Sequence, residues 1–398
     1  MKYLIIGNGV AGTTAAVNIR RLDSYGEITI LSDESTPFYS RIRLIEYLAG
    51  EAGEKDIVIY KNEWYEKNNI RLLLNTSIAD IDKDKKQVVT TNNERFEYDR
   101  LLLATGSFSF VPPITGADKK GVFTLRTLKD AEEIIDYAKG AKRVLLIGGG
   151  VLGLEAGNAL RKRGCKITVV EFFPRLLPRQ LDIAGAEILY AQLEGLGFTF
   201  YLGAKAKEII GDDKVRGLVL EDGTRIDCDL IVISAGVRPH AELGKNLGLT
   251  INKGLLVNDR METEMKDIYA AGDLIEHRGV FYGIWPAAQK QGEIAGINMA
   301  GGNAVYEGTT MSNILKVAGI DLAAAGDIDA DGKYKSFIQK DRDRYIYKKL
   351  VIIDNVLSGC ILYGDITGYR KILKAIDEKK DISEIKIALS NWDLSVLY

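Results

Sequence analysis

Short apolar runs rich in β-branched residues recur along this chain at strand length. They are Tyr3–Ile6, Ile28–Leu31, Ile70–Leu74 and Leu101–Leu103, then Val144–Ile147, Ile167–Val170 and Ile231–Ile233. Each reads as a buried strand. Two of them lead straight into a glycine fingerprint and a helix-like stretch. Tyr3–Ile6 opens onto Gly7-Asn8-Gly9-Val10-Ala11-Gly12, and Val144–Ile147 onto Gly148-Gly149-Gly150-Val151-Leu152-Gly153. In G-x-G-x-x-G the first glycine makes the strand-to-helix turn, the second lets backbone approach a pyrophosphate, and the third lets helix pack on strand. The phosphates then sit on a helix N-terminus, where N–H groups and the dipole favour negative charge. One such motif is weak; two, each between strand and helix, predict two dinucleotide sites on one chain.

Acidic residues follow at the expected spacing. Ile28–Leu31 runs into Ser32-Asp33-Glu34, and Ile167–Val170 into Glu171. A carboxylate there accepts hydrogen bonds from ribose hydroxyls, although an exposed strand end commonly carries an acid for no such reason. Glu34 is favoured at the first site, with Asp33 its rival on spacing. Glu171 would also repel a 2′-phosphate, which favours NADH over NADPH; Arg175 and Arg179 nearby leave room for some NADPH use.

The spacing of elements predicts an α/β chain in four segments. Residues 1–110 form the first part of one nucleotide fold, with a charged hairpin region from Asp80 to Arg95. Residues 111–237 form the second fold, entered through the stiff Val111-Pro112-Pro113 linker. Residues 238–307 contain Ile268-Tyr-Ala-Ala-Gly272-Asp273 and return to complete the first fold. Residues 308–398 alternate strand-like runs (Tyr345–Ile353, Leu357–Leu362) with a helix-like one (Thr367–Lys380), as a small α+β domain. Trp392 and Tyr398 give it an aromatic end suited equally to packing or to a partner.

Composition changes this picture little. The 398 residues carry a net charge of −2, which gives no reason to expect nucleic acid or an anionic membrane as partner. No apolar run is long enough for a membrane span. Cys165, Cys228 and Cys360 are scattered without metal-ligand spacing, as in a protein of the reducing cytoplasm, and no metal is expected.

The two fingerprints, the strand-ending turns Ala104-Thr105-Gly106 and Ser234-Ala235-Gly236, and Gly272-Asp273 occur in the order seen in the glutathione-reductase-like flavoprotein reductases. The chain resembles that superfamily over residues 1 to 305. Pro37–Leu44, Arg179-Gln180-Leu181-Asp182 and Leu315–Leu322 extend the resemblance to the NADH:rubredoxin oxidoreductases and to the flavin module of NAD(P)H nitrite reductase. The resemblance implies FAD on Gly7, Gly9, Val10, Ala11 and Gly12, with Asp33 or Glu34, Arg41, Ala104, Thr105, Gly106, Gly272 and Asp273. It implies NADH on Gly148, Gly150, Val151, Leu152 and Gly153, with Glu171, Ala235 and Gly236. It places Glu155 beside the nicotinamide and aims the helix opened by Trp285-Pro286 at the flavin N1/O2 edge, making Glu155 and Trp285 the catalytic candidates. Glu46 stands where the oxygenase-coupled ferredoxin reductases carry a lysine, which weakens the likeness to that group.

Segment 39–48, where the disulfide-reductase branch has its cysteine pair and another branch a single cysteine, reads Tyr-Ser-Arg-Ile-Arg-Leu-Ile-Glu-Tyr-Leu. It holds no thiol. The expectation is therefore an FAD-dependent NADH oxidoreductase that passes single electrons to a rubredoxin-like or iron–sulfur protein, with a homodimer compatible. The alternatives are the flavin subunit of a larger metalloenzyme complex, a peroxide-forming NADH oxidase, and a redox-gated binding protein.

Overall fold

The computed structural model describes residues 1–398, with the side chains of Asn313 and Val317 outside the description. The chain divides into two compact units. One comprises Met1–Arg43, Gly53–Phe108 and Val237–Thr309, and the other Leu44–Ala52, Ser109–Gly236 and Thr310–Tyr398.

The first unit is built on a parallel sheet in the order Ile268–Ala270, Arg100–Leu103, Lys2–Ile6, Glu27–Leu31, Ile70–Leu73. Its apolar runs lack polar alternation because both faces are covered, and Ile5, Ile30, Leu101 and Leu102 have no exposed surface. The helix Val10–Leu22 follows the first strand and buries Ala11, Ala15, Ala16 and Ile19. Against it lies the helix Trp285–Met299. Gly292 and Gly296 make that contact close, since a Cβ on either would collide with the backbone of Ala11 or Ala15. The charged hairpin region is an antiparallel meander, Ile78–Asp82, Gln87–Thr90 and Arg95–Glu97.

The second unit repeats the design. Its parallel sheet runs Thr199–Leu202, Lys166–Glu171, Arg143–Ile147, Leu230–Ile233, Val122–Thr124, and its meander is Ala206–Ile210, Gly217–Leu220 and Arg225–Asp227. The short helix Leu44–Ala49 groups here rather than with its chain neighbours. Arg163 on the helix Val151–Lys162 donates to the Leu48 carbonyl, and Lys162 pairs with Glu51.

The last ninety or so residues form an antiparallel sheet ordered Ser312–Val317, Ile320–Gly326, Val356–Tyr363, Ile346–Ile353, Lys335–Asp341. A tight turn with Asp354 and Asn355 both in the left-handed region joins two of its strands, the geometry a two-residue hairpin loop needs. The helix Tyr369–Asp377 covers one face through Ile372, Ala375 and Ile376. Trp392 packs against the same core and the Tyr398 hydroxyl meets Glu378.

A buried polar cluster binds this sheet to the nucleotide fold of its unit. Asp182 caps the helix Ile183–Gly195 through the Gly185 N–H (2.9 Å) and accepts from the Tyr347 hydroxyl (2.6 Å) and Lys349 Nζ (3.1 Å). Lys349 also donates to the Asp329 carbonyl at 2.8 Å. The lysine is 3% exposed, so removing it would leave buried carboxylates without their partner.

Candidate functional site

The first cradle forms at the carboxyl ends of parallel strands, where open α/β sheets take ligands. Gly7 has φ +111°, and a Cβ on it would overlap the Ala104 carbonyl; glycine is required. Its N–H donates to Leu31 at 2.8 Å, which seats the loop on the next strand. The helix Val10–Leu22 then starts at Gly9 with no side-chain cap, and a Cβ on Gly9 would meet nothing within 4 Å. By contrast, the helix Leu128–Ala138 is closed by Thr127 and Asp130 in a capping box. Uncapped N–H groups of Val10, Ala11 and Gly12 above open space are what an anion needs.

Ala104-Thr105-Gly106 and Gly272-Asp273 leave adjacent strands at the same edge. The Ala104 N–H donates to Ile6 and the Ala271 N–H to Leu103. Gly106 takes φ +68° and the Thr105 hydroxyl donates to the His240 carbonyl at 2.8 Å. The Asp273 carboxylate accepts from the Ser107 hydroxyl at 3.2 Å, and Gln291, 1% exposed, accepts the Gly272 N–H at 3.0 Å.

At the acidic positions the structure departs from spacing. In both units the first fingerprint glycine donates to the last residue of the central pairing, Leu31 or Val170, so Ser32 holds in the first fold the place that Glu171 holds in the second, with Asp33 and Glu34 following it. Asp33 is exposed. Glu34 accepts from the Tyr39 hydroxyl at 2.5 Å and pairs with Arg41. Burial works against the charge of Arg41, but Tyr39, Glu34 and Asp273 outweigh it and raise its pKa. Two residues assigned separately to the nucleotide thus hold each other.

Trp285 opens the helix Trp285–Met299, whose N-cap, Ile284, has no capping side chain and whose first turn contains Pro286, a residue suited to that position. Its ring lies 5.9 Å from that of Phe38, and both line a cavity of about 410 Å³ with Tyr60 and Val10.

The second cradle is built alike. Gly148 has φ +117° against the Ser234 carbonyl, and the helix Val151–Lys162 starts uncapped at Gly150, with Leu152 at its exposed start and Gly153 buried. Ala235-Gly236 follows the strand Leu230–Ile233, with Gly236 at φ +91°. Glu171 is 6% exposed and accepts the N–H of Gly149 and, at 2.8 Å, that of Phe173. A carboxylate has about four acceptor positions, so two remain. Arg175 is turned toward the carbonyls of Leu181 and Pro178.

Glu155, one turn into this helix, accepts the Ala318 N–H at 2.8 Å. Burial raises its pKa, against the pull of that hydrogen bond and of Lys162 and Lys316. Glu155 and Glu171 belong to the second unit, Trp285 and Asp273 to the first. Sequence reading missed Ser107, Gln291 and Ala318. Gln291 lies within the Trp285–Gly296 stretch, but nothing in its spacing marks it as the clamp on Gly272.

Two Rossmann-like folds with open helix N-termini, followed by a small α+β domain, define an oxidoreductase of the FAD and NAD(H) class. The match to family models is direct. The chain belongs to the pyridine nucleotide-disulphide oxidoreductase family, whose model matches residues 1–292, and residues 312–380 match the rubredoxin NAD+ reductase C-terminal domain. The nitrite reductase [NAD(P)H] of Bacillus subtilis is 40% identical over 96% of this chain and 48% of its own length. The chain spans about half the length of the first curated relatives it matches. The NADH-rubredoxin oxidoreductase of Clostridium acetobutylicum is 34% identical over 98% of this chain and 99% of its own. The crystal structure of NADH:rubredoxin oxidoreductase from that organism superposes with a TM-score of 0.83 at 33% identity, covering 98% of this chain and 99% of that one. Among the described residues no helix is long and apolar enough to cross a membrane.

Proposed function

We propose that this chain oxidises NADH and delivers electrons one at a time to a rubredoxin-like or iron–sulfur protein, in a reducing cytoplasm. The observation that carries the reading is a pair of open dinucleotide cradles on one chain whose Tyr39–Leu48 segment holds no thiol. Without a cysteine relay there, electrons leave the flavin for an external acceptor. When bound, FAD accepts a hydride from NADH and releases electrons singly, which couples a two-electron donor to a one-electron metal centre.

The chain's own groups bind, orient and stabilise. Residues 1–110 and 238–307 hold FAD, and residues 111–237 hold NADH. Val10, Ala11 and Gly12 would offer N–H groups to the FAD pyrophosphate, with Asp273 holding its ribityl side and the Glu34–Arg41 pair its adenosine side. The helix starting at Trp285 would offer its uncapped, positive end to the negative charge of the reduced flavin. Val151, Leu152 and Gly153 receive the NADH pyrophosphate, Glu171 the ribose hydroxyls, and Glu155 the nicotinamide carboxamide. Residues 308–398 form the acceptor side.

A second reading, the flavin module of a larger metalloenzyme, is favoured by the 40% identity to a nitrite reductase that is twice as long. NADH-driven reduction of oxidised rubredoxin, of oxygen and of nitrite separates the readings. Rapid rubredoxin reduction with little peroxide supports the reductase. NADH consumption that yields stoichiometric peroxide, and that rubredoxin does not accelerate, overturns it.

A further inference from the structure

The hairpin Ser312–Val317/Ile320–Gly326 turns through Ala318 and Gly319, with φ +53° and +90°. Two consecutive left-handed residues make a tight turn that leaves the Ala318 N–H free of the hairpin ladder. That N–H goes to the Glu155 carboxylate, at 2.8 Å. The C-terminal sheet therefore supplies a hydrogen bond to the helix of the second fingerprint. A carboxylate accepting a backbone N–H is fixed in rotamer by a charge-assisted bond.

We infer that the C-terminal domain completes the nicotinamide site: the Ala318 N–H at the tip of this hairpin is a positioning group that fixes the Glu155 carboxylate. This rests on the assignment of Glu155 to the nicotinamide. The domain then acts in the hydride half-reaction as well as on the acceptor side. The charged groups facing Glu155 are Lys162 and Glu51, which pair with each other, and Lys316 on the hairpin. Burial raises the Glu155 pKa and the Ala318 bond holds it down, so losing the bond moves titration to higher pH.

The test uses the full-length, FAD-loaded protein. In A318V a β-branched side chain is forced into the left-handed region and the N–H is displaced; A318G keeps it and serves as the control. Anaerobic flavin reduction by NADH is followed from pH 5 to 9. A318V should keep its FAD content, reduce at least tenfold more slowly at pH 7, and show an acid limb moved to higher pH. A318G should match the wild type. In an E155A background, which leaves no acceptor there, the A318V effect should vanish, because the turn acts only through that side chain.

If E155Q leaves the rate and pH profile untouched, the assignment of Glu155 fails. If E155Q slows reduction but A318V does not, or if A318V slows E155A by the same factor as the wild type, the positioning role fails. Should A318V lose its FAD, G319A, at the second left-handed position, replaces it with the same outcomes.

Discussion

Replacing Glu171 by Gln should invert much of the chain's discrimination between NADH and NADPH. The carboxylate is buried and already accepts the N–H groups of Gly149 and Phe173, which pins its position at the strand end. A 2′-phosphate brought to about 4 Å of it would meet a repulsion of about 4 kcal/mol per unit charge at an effective dielectric of about 20. Solvent at the cleft and movement of the phosphate would reduce that to about 3 kcal/mol, or about a hundredfold in relative affinity. Gln cannot accept at both oxygens. One of the two N–H groups then loses its partner, at a cost of about 1–3 kcal/mol in stability, so thermal unfolding of the variant should be recorded beside its kinetics. The assay is kcat/KM for NADH and NADPH at one ionic strength. The expected result is a fall for NADH, a rise for NADPH, and a ratio shifted by about two orders of magnitude. A ratio within twofold of the wild type, in a folded variant, would refute the reasoning and remove Glu171 from the ribose.

Other outcomes follow from the same structure. G7A places a Cβ on the Ala104 carbonyl at φ +111°, so the purified protein should carry little FAD by absorbance at 450 nm; a stoichiometric holoprotein would contradict the role of that turn. K349M leaves Asp182 and Asp329 buried without their cation and should destabilise the second unit by about 3–5 kcal/mol in urea unfolding; a loss below about 1 kcal/mol would mean that the cluster relaxes or hydrates. Because the folded-state pKa of Glu155 is raised by burial, its contribution to stability is fully present below the unfolded pKa and is lost as pH rises through the folded one. The melting temperature of wild type relative to E155Q should therefore fall as pH rises above the ordinary carboxylate range, and a flat difference would show that the burial is compensated.

Much of this architecture was legible because its signals are local. An unbroken apolar run, a glycine fingerprint and a helix-like stretch at Tyr3–Gly12 and Val144–Gly153 fix a strand, a turn and a helix without reference to anything distant. The family matches bear out the two-nucleotide reductase class that those motifs implied. Residue counting did not separate Asp33 from Glu34, because it does not say where pairing ends; the strand pairings give Ser32 the place in the first fold that Glu171 has in the second. The pairing of Glu34 with Arg41 was hidden because Glu34 lies on an irregular stretch and Arg41 opens a single 3-10 turn, Arg41–Arg43, so no periodicity brings them together. The Ala318–Glu155 bond joins residues 163 positions apart through a backbone group, which carries no side-chain signature at all.

The central claim is that electrons pass from NADH through a thiol-free flavin site to a one-electron acceptor. Anaerobic stopped-flow mixing tests it most directly: the FAD-loaded chain is reduced with one equivalent of NADH while the band near 450 nm is followed, then mixed with oxidised rubredoxin. The expected result is fast bleaching, followed by full recovery of the band as two equivalents of rubredoxin are reduced. Bleaching that rubredoxin cannot reverse would contradict it, and no bleaching at all would remove NADH from the second cradle.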